Sequence, residues 1–459
     1  MFLKSLSQKA SKAVSVSFLT LALTSFAQAE LAKAPPALSV DRTSNKAVFT
    51  DFLSAQYKVT YDVRKSSAYA ESAIEFATEQ EGMPIFDLVP TPLNVALDGK
   101  TVDSMFYNIQ NVTAFRYLTT VVPAGRHHLV IKNNISENVT FNGTGVRSAF
   151  WTSDLDDRTF LEQYLPANLE FDTYASTIDV VVTGTEQEHE IFTNGEIQVL
   201  GKNQFRIQTP NHFNASSLFF HIVPKSTFRQ TSFNYRSIDG RDIPVLIYTG
   251  SVDLAAFKTK TAQTLAELER DYGPFPHPKV VIYGAGSGGM EYHGATITSL
   301  WALAHELTHS YFARGIMPAN GNSGWIDEAI ASWRDDGYRQ NQISELSPST
   351  MAGKSVYMRM TDDNAYTKGS RFMGYMDKLL SAKGGLKKFL KGFFEEFHFN
   401  PFTTELFKQQ LEQFYGQSLD VEFNKYIYGR GQKIKELSEE HHDNAYHPRL
   451  TKEQLRQLL

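Results

Sequence analysis

No cysteine occurs among the 459 residues of this chain. Its stability therefore cannot rest on disulfides, and a thiol nucleophile or a thiolate metal site is excluded. Basic residues are not in excess either, since 45 Lys and Arg face 50 Asp and Glu. That balance argues against nucleic acid or anionic membrane as the main partner. Beyond the N-terminus no apolar run approaches the roughly 20 residues that a membrane helix needs. No membrane span is expected in the mature chain, and no internal repeat is apparent.

What is present begins with a leader. Lys4, Lys9 and Lys12 form a basic start, an apolar stretch runs from about Val14 to Phe26, and Ala27-Gln28-Ala29 supplies small residues for cleavage. Residues 1–29 read as a secretory signal peptide cleaved near Ala29, so the protein is expected to be exported, either periplasmic or secreted. Cleavage removes three lysines and no acid, which leaves 42 basic against 50 acidic residues and a formal charge of −8.

The remaining 430 or so residues suggest two or three domains. From about Gln56 to Pro224, alternating segments such as QYKVTYDVR, RHHLVIKN and TIDVVVTGT are punctuated by Gly, Asn and Asp turns. Such spacing predicts an antiparallel β-sandwich or saddle, preceded by an extended lead-in over 30–55. The pattern changes near residue 226. A strand-like DIPVLIYTG leads to LAAFKTKTAQTLAELERDYG, which has helical apolar spacing and stops at Gly273. A strand KVVIYG, a glycine-rich stretch and mostly helical sequence from Gly324 onward follow. The expected class is α+β: a β-domain over 30–225, then a mixed domain over 226–459.

Within the second part stands His305-Glu306-Leu307-Thr308-His309, in an apolar-periodic segment that predicts a helix. Histidines four apart on a helix share a face, so both imidazoles can reach one ion. A glutamate between them can approach a metal-bound water without being a ligand. Catalytic zinc takes three protein ligands and keeps a fourth position for water, and two His with one Glu is a known set. Glu328 lies nineteen positions beyond His309 in GWIDEAIASW, a second helix-like segment, and is placed to be the third ligand. Composition alone produces a His-Glu-x-x-His match in roughly one chain in a hundred of this length; the added glutamate segment makes chance a poorer account. Two other patterns are set aside. The run Gly284–Gly289 fits a dinucleotide-binding spacing but leads into extended chain instead of a helix. His441, His442 and His447 imply no fixed ligand geometry.

GGMEYHGATI before the motif helix, HELTH, GWIDEA and the later AYTKGSRF occur in an order that resembles the gluzincin zinc aminopeptidases related to alanyl aminopeptidase and leukotriene hydrolase. The resemblance covers roughly 242–431. It implies a thermolysin-like catalytic domain behind a β-domain, one zinc ion per chain, and peptide substrates that lose their N-terminal residue. By the same resemblance His305, His309 and Glu328 are the zinc ligands and Glu306 is the general base. Tyr366 stabilises the oxyanion, Glu291 pairs with the substrate α-amine, and Gly288, Gly289 and Met290 complete the substrate-binding strand. Tyr292 stands where the family has Asn, and Ala329 where it has Gly. The intervals from Glu291 to His305 and from Glu328 to Tyr366 are shorter than usual there. A zinc endopeptidase or a relative of the glycyl aminopeptidases shares the ligand pattern. A non-catalytic module that kept the zinc fold would show loss of Glu306 or a ligand, and all are intact.

Overall fold

The computed structural model describes residues 34–40, 44–109, 113–153, 159–430, 450 and 452–459. The leader over 1–29 and the three C-terminal histidines lie outside the described residues.

Period-two patterning builds the first part. In the strand Ser67–Thr78 every even position from Ala68 to Thr78 is buried, while the odd positions are open to solvent in part or in full. One face of such a strand must therefore lie on a core. Eight strands join there in the order Glu196–Gly201, Gln204–Gln208, Ala175–Thr183, Asp51–Asp62, Ser67–Thr78, Gly125–Asn134, Pro92–Leu97, Lys100–Thr101. A second sheet of Val139–Phe141, Val146–Phe150, Phe220–Pro224 and His189–Thr193 covers it. Phe52, Val59, Ile74, Phe76, Ile131 and Ile178 of the first sheet pack with Val146, Phe150, Phe220 and Ile222 of the second. The expected sandwich is present, but two pairings are parallel instead of antiparallel: Ala175–Thr183 with Asp51–Asp62 in the middle of the large sheet, and Ala47–Phe49 with Met83–Phe86 in a smaller one. The lead-in expected to residue 55 already contains strand at Ala47–Phe49 and from Asp51 onward.

A five-stranded sheet opens the second part, in the order Arg229–Arg236, Asp242–Thr249, Val280–Gly284, Ala295–Thr298, Gly289–Tyr292. Val280–Gly284 is buried at all five positions and pairs in parallel on both sides. Parallel neighbours need a crossover, and helix α1 (Leu254–Tyr272) provides it. Asp253 caps α1 by accepting from the backbone N–H groups of Ala255 and Ala256. Phe257, Thr261, Thr264, Leu265, Leu268 and Tyr272 form its buried stripe, the spacing of an amphipathic helix. Gly289–Tyr292 is the edge strand and turns its Glu291 toward the helices that follow: α2 (Leu303–Phe312), α3 (Trp325–Asp335), α4 (Ser370–Leu379), α5 (Gly385–Phe397), α6 (Thr404–Tyr415) and α7 (Asp420–Tyr426).

Aromatic packing joins the two parts. Phe192 stacks on Tyr248 at 3.7 Å between ring centroids, Trp151 on Tyr283 at 6.3 Å, and Phe219 meets Tyr292 edge-on at 5.2 Å.

Candidate metal centre and active site

All ten residues of α2 are buried, so its two histidines and Glu306 sit inside the protein. α3 packs across α2 and brings Glu328, which is fully buried, against both imidazoles. His305 Nε2 stands 3.3 Å from one Glu328 oxygen and His309 Nε2 stands 3.5 Å from the other. Two ligands each about 2.1 Å from a tetrahedral ion are separated by about 3.4 Å. The three side chains therefore already hold the spacing of a zinc ligand set, and they form one of two potential metal groups among the described residues. Neither ring nitrogen of His309 has a hydrogen-bond partner among the described residues. Buried polar groups are normally satisfied, and an ion at this point would satisfy His309.

The surroundings tune each ligand. His305 Nδ1 is 2.8 Å from Asp335 Oδ2, which fixes the tautomer and aims the Nε2 lone pair at the cluster. Burial alone would lower the His305 pKa, but the hydrogen bond and charge of Asp335 outweigh it and raise the value. Burial, with His305 and Arg314 nearby, pushes His309 well below the usual imidazole range, so its ring is neutral. Asp335 was not singled out from the sequence. Its signal was there: seven positions after Glu328 on a helix is two turns along the same face.

Glu306 lies between the histidines with both oxygens lacking a hydrogen-bond partner among the described residues. Burial raises its carboxyl well above the ordinary range. The edge strand passes so close that a Cβ on Gly289 would collide with the Glu306 carboxylate; glycine is required by the approach of backbone to side chain. Met290 turns its side chain to the opposite face, among Trp151, Phe219 and Ile297; its carbonyl accepts from the Thr296 hydroxyl at 3.0 Å, and the Gly289 carbonyl accepts from Leu450 N–H at 3.0 Å. The Gly288 carbonyl accepts from Ser299 N–H at 2.8 Å.

Tyr366 enters from a π-helical turn, Ala365–Gly369, and lies near-parallel to His305 at 6.3 Å between centroids. Burial raises its hydroxyl well above the usual phenol range, so it stays protonated and can donate. Glu291 comes from the edge strand and its carboxylate pairs with Arg314 Nη2 at 3.0 Å. Oxygens of Glu291, Asp327 and Glu328 and a nitrogen of His309 lie within 4.8 Å of one another. The structure thus brings together His305, His309, Glu328, Glu306, Tyr366 and Glu291. Arg314 and Asp327 join them without having been marked in the sequence: Arg314 belongs to no motif, and Asp327 stands in GWIDEA beside the residue that the ligand pattern singles out.

No family model and no curated protein matches the chain. Solved structures do. A mutant M1 zinc metallopeptidase of Deinococcus radiodurans bound to a Tyr-Ser-Ala substrate is 14% identical, with 83% of this chain and 95% of that one covered at a TM-score of 0.61. Yeast leukotriene A4 hydrolase in complex with bestatin is 15% identical, covering 84% and 69% at 0.60. Legionella pneumophila aminopeptidase A in complex with aspartic acid is 12% identical, covering 84% and 50% at 0.60. At such identities the likeness is one of fold, and it runs through both the β-rich part and the site-bearing part: this chain has the M1 zinc metallopeptidase fold.

Proposed function

We propose that the chain is an exported zinc metallopeptidase, and more finely an aminopeptidase that removes N-terminal residues from peptides. One observation carries the reading: Glu328 of α3 stands 3.3 and 3.5 Å from the Nε2 atoms of His305 and His309 on α2, and Glu306 of the same α2 motif lies between them without a hydrogen-bond partner among the described residues. His305, His309 and Glu328 would hold the ion. When bound there, zinc would supply Lewis acidity and lower the pKa of a water to about 7. Glu306 then takes the proton of the attacking water on its carboxylate and later returns it to the leaving amine. Tyr366 donates its O–H to the oxygen of the tetrahedral species, a task for a fixed donor in a dry site. Glu291, with the main chain of Gly288–Met290, would hold the peptide's N-terminal end.

The charges favour this assignment. Glu291, Glu306, Asp327 and Glu328 are four buried carboxylates beside a single guanidinium, Arg314. Four acid groups beside one guanidinium suit a bound dication, whose charge would favour their ionised forms. In the same reading residues 30–225 form the β-domain, 226–459 the catalytic domain, and residues 1–29 the leader. Among the described residues no helix is long and apolar enough to cross a membrane.

The test is metal analysis of the purified protein together with aminoacyl fluorogenic substrates, free and N-acetylated, with and without chelator. One zinc per chain and chelator-sensitive hydrolysis are expected. A zinc-replete protein that cleaves no peptide would leave only a non-catalytic module. N-terminal sequencing of the exported protein should begin at Glu30.

A further inference from the structure

We propose that Leu450 is a specificity-determining residue that restricts hydrolysis to substrates with a short leaving part, such as dipeptides and aminoacyl amides; the inference rests on the aminopeptidase reading above. The observation is one hydrogen bond: Leu450 N–H donates to the Gly289 carbonyl at 3.0 Å. Gly289–Tyr292 is the last strand of its sheet, so one side of it pairs with no described strand. Main-chain groups that point into the sheet and out of it alternate along such a strand. The Gly288 carbonyl accepts from Ser299 N–H and points inward. Gly289 stands opposite Thr298, whose carbonyl accepts from Ala285 N–H on its far side, and the Gly289 carbonyl points out from the open edge. Leu450 therefore fills, at Gly289, the place where an added strand would pair.

That place lies on the path of a peptide. The α-amine is assigned to Glu291, and the base Glu306 lies against Gly289, where a Cβ would meet its carboxylate. A peptide running from Glu291 across Glu306 passes Gly289 with its leaving part, antiparallel to the strand. Paired backbones lie about 4.8 Å apart, and the main chain of Leu450 already holds that position. The contact is anchored. Leu450 is 5% and Leu455 3% exposed, in one cluster with Trp151, Tyr283, Met290 and Tyr292. Helix α8 (Lys452–Gln457) adds an ion pair of Arg456 with Glu137 at 3.1 Å. Beyond it the Leu458 carbonyl accepts from the Tyr283 hydroxyl, and that of Leu459 from Arg147. Displacing Leu450 would return buried apolar surface to water. A long leaving part thus gains no pairing at Gly289 and meets a filled edge, whereas a single residue or an amide can turn away from it.

The experiment measures kcat/KM of the zinc-loaded full chain for release of leucine from leucine amide, leucyl-glycine and leucyl-glycyl peptides of up to about five residues. In wild type the value should rise by no more than about threefold from the dipeptide to the longest peptide, less than one added hydrogen bond can contribute. Leu450→Pro removes the N–H and keeps an apolar residue. It should raise kcat/KM for the longest peptide at least about fivefold, the weight of one freed hydrogen bond, while leucine amide stays within about twofold. Leu450→Met keeps the N–H and should match the wild-type ratio. A wild-type rise with length above about tenfold would overturn the inference even if Leu450→Pro failed to fold. So would an unchanged ratio in a folded, zinc-replete Leu450→Pro protein, or an equal loss for every substrate, which would make Leu450 structural. Each of these results leaves the aminopeptidase reading standing, whereas absence of any peptide hydrolysis by wild type removes the reading itself.

Discussion

Glu306 and Asp335 illustrate how differently two carboxylates near one ion can act. Glu306 is buried between the histidines and has no hydrogen-bond partner among the described residues. Glu306→Gln keeps shape and leaves the three ligands complete. Zinc content should be unchanged while kcat falls by about 10²–10⁴, the usual weight of a positioned base. Loss of zinc in that variant would show Glu306 to be a ligand. Asp335 works through His305, at 2.8 Å from Nδ1. Asp335→Ala should weaken zinc binding by about 10–100-fold, read by competition with a chelator, and should restore turnover when zinc is in excess. Turnover that stays low at saturating zinc would mean that Asp335 does more than orient the ring.

Among the elements, legibility followed local cause. Helix α1 declared itself through its apolar stripe and its stop at Gly273, because periodicity and breakers are written in neighbouring residues. The parallel pairing of Ala175–Thr183 with Asp51–Asp62 was not readable, since partners more than a hundred residues apart are chosen by tertiary packing. The π-turn that delivers Tyr366 was equally hidden: no residue preference sets an i→i+5 bond apart from an i→i+4 bond. The motif histidines were legible because ligand chemistry imposes a spacing. Arg314 was not, because it reaches Glu291 across the fold. The edge strand supplies the prediction at this scale. Gly289→Ala puts a methyl group where the Glu306 carboxylate lies. Since Glu306 is enclosed and cannot swing freely, kcat should drop at least about tenfold, with zinc content and melting temperature near wild type. Full activity in Gly289→Ala would mean that Glu306 relocates without cost.

For the whole molecule, the seam between the β-rich part and the site-bearing part couples stability to pH. His221 is fully buried there, with Nδ1 2.9 Å from the Tyr248 hydroxyl and rings of Trp151, Phe228 and Tyr283 around it. Burial, with a smaller contribution from Arg147, lowers its pKa from the ordinary 6.5 to about 3. In the unfolded chain His221 takes a proton as pH falls below 6.5; in the folded protein it stays neutral until about 3. The unfolded state thus binds the extra proton across this window, and stability rises with pH. The contribution is fully present above pH 6.5 and declines by about 1.4 kcal/mol per pH unit on acidification. Carboxyls with raised pKa values act in the opposite direction. Asp172, held near 7 mainly by burial, favours folding more as pH falls, so the total curve is a balance. A difference between two proteins isolates the histidine. His221→Phe fills the aromatic seam without a titratable group, although it gives up the bond to Tyr248. Urea unfolding of wild type and variant, each in excess chelator to remove metal linkage, should show curves that converge or cross between pH 6.5 and 4. Wild type should lose about 1.4 kcal/mol more per pH unit than the variant. Parallel curves would mean that His221 is protonated in the folded protein as readily as in the unfolded chain, and that the seam admits water.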